Sequence, residues 1–172
     1  GALVKEWKNA TTRLDIMQEV AKLYYFQAQY DSAFYYYDKF EKIKVSNGLD
    51  MYPQENLKIG LVYDKMGFHD KSEAFYKAYA EYCENDQSIY QPVSLAMKYL
   101  YDENPKLAIE QLKLFSTKNN YQYWILLFLE EDPLMKTLKS HPDYDAVIQK
   151  INDRFWENHN QLKKSLKEKE LI

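Results

Sequence analysis

The chain has 172 residues, of which 46% are hydrophobic and 28% charged, a composition typical of a folded protein rather than a disordered one. Its net charge of −3 argues against non-specific nucleic-acid binding, which requires a basic surface. The single cysteine, Cys83, excludes an intrachain disulfide and a cysteine-ligated metal cluster. The expected location is cytoplasmic, and a periplasmic location stays open because periplasmic proteins can also lack disulfides.

The first residues already have a helical pattern, and we interpret residues 1–12 as the end of a preceding helix or a truncated repeat. Thr12 and Asp15 are spaced as a capping box for the helix that follows. No signal peptide is visible, and no apolar run approaches the roughly 18 residues that cross a bilayer, so we expect no membrane association. The chain is expected to be a fragment of a longer protein or a processed product.

Three segments share one pattern of small and large residues, at repeat spacings of 39 and 36 residues. Each opens with a small residue, which is followed by a tyrosine three positions later and by a second small residue twelve positions later. A large residue comes four positions after that, and an aromatic residue three beyond it in every segment. The residues at these five positions are Ala21, Tyr24, Ala33, Tyr37 and Phe40, then Gly60, Tyr63, Ser72, Tyr76 and Tyr79, then Ala96, Tyr99, Ala108, Leu112 and Phe115.

This pattern predicts three helical hairpins, over residues 14–47, 53–86 and 89–118. The small residues allow two antiparallel helices to approach closely, and the large residues fill the space between one hairpin and the next. Asp31, Asp70 and Asn104 stand where helix N-terminal caps are expected. Because one hairpin cannot bury its apolar face alone, the hairpins are expected to stack into a solenoid over residues 13–120.

The alternation of small residues with tyrosine and other aromatics resembles the tetratricopeptide repeat family. The resemblance implies an all-α, right-handed solenoid of antiparallel helix hairpins whose first helices line a concave groove. Two departures from the family pattern stand out. The family's small alanine is replaced by Phe40, Tyr79 and Phe115, and the proline that usually closes each repeat is missing.

Residues 121–172 are predicted to form a half-repeat and a helical cap that ends in a long helix over about 142–169. The Asp–Pro and His–Pro pairs at Pro133 and Pro142 can each start a helix at the proline. The segment "DPLMKTLKSHPDYDAV" resembles the tail that closes tetratricopeptide arrays in multidomain bacterial regulators. The apolar face of the long helix consists of Tyr144, Val147, Ile148, Ile151, Phe155, Leu162 and Leu166.

No motif in the sequence indicates catalysis, and we predict no enzyme activity, no metal and no cofactor. His69, His141 and His159 lack the spacing of metal ligands. No phosphate-binding loop or nucleophile motif is present. The acidic run at residues 130–132 is interpreted as a solvated helix end.

Binding is therefore the expected role, and the family's groove positions fall on largely apolar residues of this chain. Such a groove would suit an amphipathic helix or a peptide from another protein. The chain's own C-terminal helix is a competing occupant, and plain core packing is the other interpretation of an aromatic stripe. The groove residues implied by the family are Gln18, Lys22, Tyr25, Phe26, Leu57, Leu61, Asp64, Lys65, Tyr90, Val93, Met97, Leu100 and Tyr101.

The sequence thus predicts a protein–protein interaction or regulatory scaffold module, belonging to a larger bacterial regulator. The alternative is a small-ligand or peptide sensor, which would need a closed cavity of roughly 300 Å³ or more beside Tyr25, Leu61 and Met97. A homodimer contact is a further possibility on the last helix, and its alternative is a charged helix end in solvent. The residues of that contact are Phe155, Trp156, His159 and Leu162.

Overall fold

The computed structural model describes residues 13–171, and every regular element within that range is helical, which confirms the predicted all-α class. The predicted segment 1–12, with the Thr12 half of the capping box, lies outside the described residues. A short 3-10 helix, Pro53–Glu55, precedes the third α-helix. The α-helices are α1 (Leu14–Phe26), α2 (Tyr30–Ser46), α3 (Asn56–Lys65), α4 (His69–Asn85), α5 (Gln91–Tyr101), α6 (Pro105–Phe115), α7 (Trp124–Phe128), α8 (Pro133–Thr137) and α9 (Tyr144–Glu168).

The chain divides into two compact units, Gly1–Glu84 and Asn85–Ile172. The described part of the first unit contains α1 to α4, and that of the second contains α5 to α9. The division falls inside the array predicted over residues 13–120, between the second and the third hairpin. The predicted domain limits stay a prediction, and each unit is described by itself below.

The turn between the two helices of each hairpin has the same backbone geometry all three times. A residue in the left-handed region ends the first helix, at Ala28 (φ 56°), Gly67 (φ 82°) and Glu103 (φ 55°). In each turn, the next residue donates its backbone N–H to the backbone oxygen of the repeat's tyrosine, five positions earlier. These bonds run from Gln29 to Tyr24 (2.9 Å), from Phe68 to Tyr63 (2.9 Å) and from Asn104 to Tyr99 (2.8 Å). This pattern is the Schellman closure of a helix C-terminus.

The first and second small residues of the repeat are buried in all three segments, as close approach of two helices requires. Gly60 shows how close the approach is in the second hairpin. A Cβ atom added there would lie 3.2 Å from Phe75 Cβ and 3.2 Å from the backbone oxygen of Ser72. An alanine at position 60 would therefore force α3 and α4 apart, and the glycine is explained by packing rather than by its backbone angles.

The core of the first unit is aromatic, and two of its buried phenols donate to carboxylates. Tyr37 donates its hydroxyl to Glu55 Oε2 (3.1 Å), which lies at the start of the second hairpin. Tyr63 donates to Asp38 Oδ1 (3.1 Å), and its ring packs edge-on against Phe34 at 5.0 Å. These contacts join the first hairpin to the second, and they satisfy hydroxyl groups that would otherwise be costly to bury.

The core of the second unit forms where α5 packs on α6 and α8, and where α6 packs on α9. Tyr121, in the loop before α7, donates its hydroxyl to the backbone oxygen of Ile151 on α9. Tyr144 donates to Glu130 Oε1 (2.8 Å) and so ties the start of α9 to the end of α7. The buried apolar side chains of this unit are Ala96, Met97, Leu100, Ala108, Ile109, Leu112, Phe115, Tyr121, Ile125, Leu129, Met135, Leu138, Tyr144, Val147 and Ile151.

Two of the three predicted N-terminal caps are corrected by the structure. Asn104 caps α6 as predicted, because its Oδ1 accepts from the backbone N–H of Leu107 (3.2 Å). Asp31 and Asp70 instead occupy the second position of α2 and α4, since each helix begins one residue earlier than expected. A carboxylate in the first turn still interacts favourably with the helix dipole.

Of the two prolines predicted to start helices in the C-terminal region, one does so and the other does not. Pro133 starts α8, capped by Asp132, whose Oδ1 accepts from the N–H of Leu134 (2.9 Å). Pro142 does not start α9, which begins two residues later at Tyr144, because the intervening residues form a turn closed by the Tyr144 N–H on His141 O (3.0 Å).

Candidate functional site

In the first unit, the implied groove residues divide between the core and a partly exposed surface. Tyr25 and Leu57 are buried, and Tyr25 belongs to the hydrophobic core. Lys22, Phe26 and Leu61 are half-buried, and the latter two pack their inner sides against the same core. We call these three residues and Gln18 the α1 surface, since α1 supplies most of it and also contacts α3.

One side of α1 carries a polar group whose bonding is incomplete. Gln18, Lys22 and Phe26 are four residues apart, which places them on one face of the helix. Gln18 is only 4% exposed, and its Oε1 has no hydrogen-bond partner among the described residues. Its Nε2 donates to Glu19 Oε1 (2.5 Å), which also accepts from Lys22 Nζ (2.6 Å). The Gln18 carbonyl is thus a buried acceptor without a donor in the part of the chain that the structure describes.

A depression of about 460 Å³ in the first unit lies elsewhere, at the turn between α1 and α2 and the end of α3. Of the implied groove residues it contains only Lys65, so it does not correspond to the cavity beside Tyr25, Leu61 and Met97 that the sensor alternative requires. Its lining residues are Ala28, Gln29, Tyr30, Asp31, Ser32, Lys65 and Met66.

In the second unit, the implied groove residues are again partly committed to packing. Met97 and Leu100 are buried, while Val93 and Tyr101 are half-buried. Tyr90 packs its ring against Trp124 at 5.4 Å, and its hydroxyl accepts from the backbone N–H of Gln122 (3.0 Å). That the implied groove residues form one continuous surface stays a prediction.

The residues proposed for a dimer contact meet a fourth aromatic side chain that the sequence did not indicate. Tyr123 lies 5.5 Å from Phe155 and 6.1 Å from Trp156, measured between ring centroids. Trp156 in turn packs against Phe155 at 5.2 Å and against His159 at 5.5 Å. Tyr123 is 49% exposed and Trp156 47%. We call Tyr123, Phe155, Trp156, His159 and Leu162 the Trp156 surface.

Sequence reasoning missed Tyr123 because the run "YQYW" gives no sign of which ring turns inward. Tyr121 is buried with its hydroxyl bonded to α9, which leaves Tyr123, two residues on, at the surface. Leu162, predicted as part of the apolar face of the last helix, is 60% exposed, one turn beyond the aromatic cluster.

The perturbed titratable groups are structural rather than catalytic in character. Burial raises the pKa of Tyr63, and Asp38 adds to the effect; burial likewise raises the pKa of Tyr144, with Glu130 adding to it. Burial raises the pKa of Tyr121 to about 12. Lys113 holds the pKa of Asp143 below its usual value through a 2.6 Å contact. Each tyrosine is tied into a core, and these sites do not converge on one pocket.

Within residues 13–171, no group of three or more histidine, cysteine, aspartate or glutamate side chains could hold a metal ion. No helix in that range is long and apolar enough to cross a membrane. No protein-family model matches the chain, and no curated protein and no solved structure resembles it at a significant level.

Proposed function

We propose that this chain is a helical-repeat module that binds a helix or peptide of another protein at the α1 surface. The observation that carries the proposal is the buried Gln18 Oε1, which has no donor among residues 13–171 and lies on the same helix face as Lys22 and Phe26. An unsatisfied buried acceptor costs folding free energy, about 1–3 kcal/mol, so its presence suggests a use in the bound state.

The chemistry of the α1 surface suits a peptide better than a small ion. Phe26 and Leu61 offer apolar area, Lys22 offers a positive charge, and the Gln18 carbonyl offers an acceptor for a backbone or side-chain N–H. Lys22 is neutralised in part by Glu19, so the surface is not a strong anion site.

The three identical turns support the tetratricopeptide-like part of the proposal. Each turn has one residue in the left-handed region, and the residue after it donates to the backbone oxygen of the repeat's tyrosine. Both features recur at the spacing of the sequence repeat. Repeated helical hairpins of this kind commonly present extended surfaces for other proteins. A regulatory role within a larger bacterial protein is the corresponding biological proposal.

The test uses a displayed library of amphipathic helical peptides as the probe. We expect selected peptides to lose at least tenfold in affinity for a Phe26→Ser, Leu61→Ser double variant. The control is Val45→Ser, at a residue that is 74% exposed on α2 and outside the α1 surface. Circular dichroism verifies that both variants are folded at the assay temperature. Peptides that bind the double variant as tightly as the wild type would contradict the proposal.

A further inference from the structure

The last helix extends well beyond the part that is packed. Asn158 Oδ1 accepts from the backbone N–H of Asn120 (3.0 Å), and within the described residues this is the last hydrogen bond from α9 to another element. From His159 to Glu170 every described side chain is exposed except Ser165 and Leu166. We call residues 159–171 the overhang, and its helical part, residues 159–168, is about 15 Å long. Because most helical stability in proteins comes from packing of an amphipathic face, this overhang favours a partner along its side.

An apolar stripe runs from the Trp156 surface onto the overhang. Phe155, His159, Leu162 and Leu166 follow one another at intervals of three and four residues, so they share one face of α9. Trp156 and Tyr123 flank the start of this stripe. The overhang is therefore amphipathic rather than uniformly charged. Its apolar face continues the exposed aromatic patch of the Trp156 surface.

Charge distinguishes the two halves of α9. Residues 159–171 contain four lysines and two glutamates, while residues 144–158 contain two basic and three acidic residues. Glu130, bonded to Tyr144 at the start of α9, adds a further carboxylate beside the packed half. An antiparallel pair of such helices would place each basic overhang along the acidic half of the other, whereas a parallel pair would place the basic overhangs side by side.

The available area also favours an antiparallel pair. Trp156 and Tyr123, each about half exposed, offer roughly 200 Å² together, and Leu162 brings the apolar patch to roughly 300 Å². A stable interface usually buries about 800 Å² per partner. The patch alone is too small, but an overhang lying along the α9 of a second copy would supply much of the difference on both sides of a two-fold axis.

We propose that two copies of this chain associate through α9, antiparallel about a two-fold axis near His159. Leu162 and Trp156 lie three residues on either side of that axis, so Leu162 of one copy packs on Trp156 of the other. The same patch thus serves both copies, as a two-fold interface requires.

Sedimentation velocity over a range of concentrations tests the association. We expect a species with twice the 20.7 kDa mass of one chain, and at least tenfold weaker association for Leu162→Asp. Val45→Asp, at another exposed apolar position, is the control and should associate as the wild type does. A wild type that stays monomeric throughout, or a Leu162→Asp variant that associates normally while folded by circular dichroism, would overturn the proposal.

Single-cysteine crosslinking tests the direction of the helices, since the native Cys83 is buried. In the antiparallel pair, cysteines at position 159 meet at the two-fold axis, while cysteines at position 166 are separated by roughly 20 Å along the helices. A disulfide needs Cα atoms within about 7 Å. We therefore expect oxidation to link His159→Cys and to leave Leu166→Cys unlinked. Linkage of both variants, of Leu166→Cys alone or of neither would overturn the antiparallel arrangement.

Discussion

At the scale of single residues, four buried tyrosines have hydroxyl groups satisfied by a carboxylate or a backbone oxygen, namely Tyr37, Tyr63, Tyr121 and Tyr144, out of seventeen tyrosines in the chain. The stretch "YYFQAQYDSAFYYYDKF" contains six of them. Its repeat positions indicated that Tyr24, Tyr37 and Phe40 face inward and that Tyr35 faces outward, and Tyr35 is indeed 52% exposed. The partners could not be predicted, because Glu55 lies 18 residues from Tyr37.

Buried phenols make the stability of the protein sensitive to alkaline pH. The pKa of Tyr121 is about 12 in the folded protein against 10.0 for a free phenol, so the unfolded chain loses this proton first. The unfolded state then binds fewer protons than the folded one, and the free energy of unfolding falls as the pH rises from 10 toward 12. Tyr63 and Tyr144, with raised pKa values, act in the same direction.

Urea unfolding at several alkaline pH values measures this decline. We expect it to be shallower for Tyr121→Phe, which removes one of the contributing protons. A stability that does not fall above pH 10, or an equal slope in the wild type and Tyr121→Phe, would contradict the assignment.

Gln18 allows a residue-scale test in which stability and binding should move in opposite directions. Gln18→Met keeps the side-chain shape and removes the buried acceptor that has no described partner. We expect the free energy of unfolding to rise by about 1 kcal/mol, because no polar group is then left unpaired. Affinity for a selected peptide should fall several-fold, a trade-off typical of functional polar groups.

The matched control for this change is Gln54→Met, at an exposed glutamine of the 3-10 helix, which should alter neither quantity. Chemical denaturation and fluorescence-anisotropy titration give the two numbers. If Gln18→Met lowers the stability and leaves the affinity unchanged, Gln18 is a structural residue and the binding role at this position is wrong.

At the scale of elements, the repeat is expressed most clearly in the turns rather than in the helices. The left-handed position is a glycine only at Gly67, and Ala28 and Glu103 adopt the same conformation with a Cβ atom. The sequence pattern did not indicate this equivalence, because a non-glycine residue gives no signal of a positive φ. A left-handed conformation costs an ordinary residue about 1–2 kcal/mol.

Exchanging the residues at two equivalent turns tests that equivalence. We expect Ala28→Gly to raise the free energy of unfolding by about 0.5 kcal/mol, the relief of strain minus the added freedom of the unfolded chain. Gly67→Ala should lower it by about 1 kcal/mol, and its Cβ meets nothing within 4 Å, so the effect is purely one of backbone. Thermal or urea unfolding measures the free energy of unfolding of both variants. Changes of the same sign in the two variants would contradict a shared turn geometry.

The helices themselves were predictable where three- and four-residue spacing is long and regular. Pro133 starts a helix and Asn104 caps one, as expected. The start of α9 was placed two residues too early, because the sequence does not reveal that residues 141–144 close a turn. The exposure of Trp156 depends on the packing of the loop before α7, which local periodicity does not describe.

At the scale of the whole molecule, the chain consists of two compact helical units and was predicted from its sequence to be all-α. The division between Glu84 and Asn85 was not predicted, since the repeat pattern continues across it with little change in spacing. A repeat pattern indicates how the two helices of each hairpin pack together, whereas the packing of successive hairpins depends on side chains far apart in the sequence.

The central claim is that the α1 surface binds a helix or peptide, and an NMR titration of the labelled chain with a selected peptide tests it most directly. The claim predicts that the largest amide shift changes fall in α1 and α3, around Gln18, Lys22, Phe26 and Leu61, and saturate with the binding curve. Changes confined to other helices, for example to α6 or to the end of α9, would contradict it.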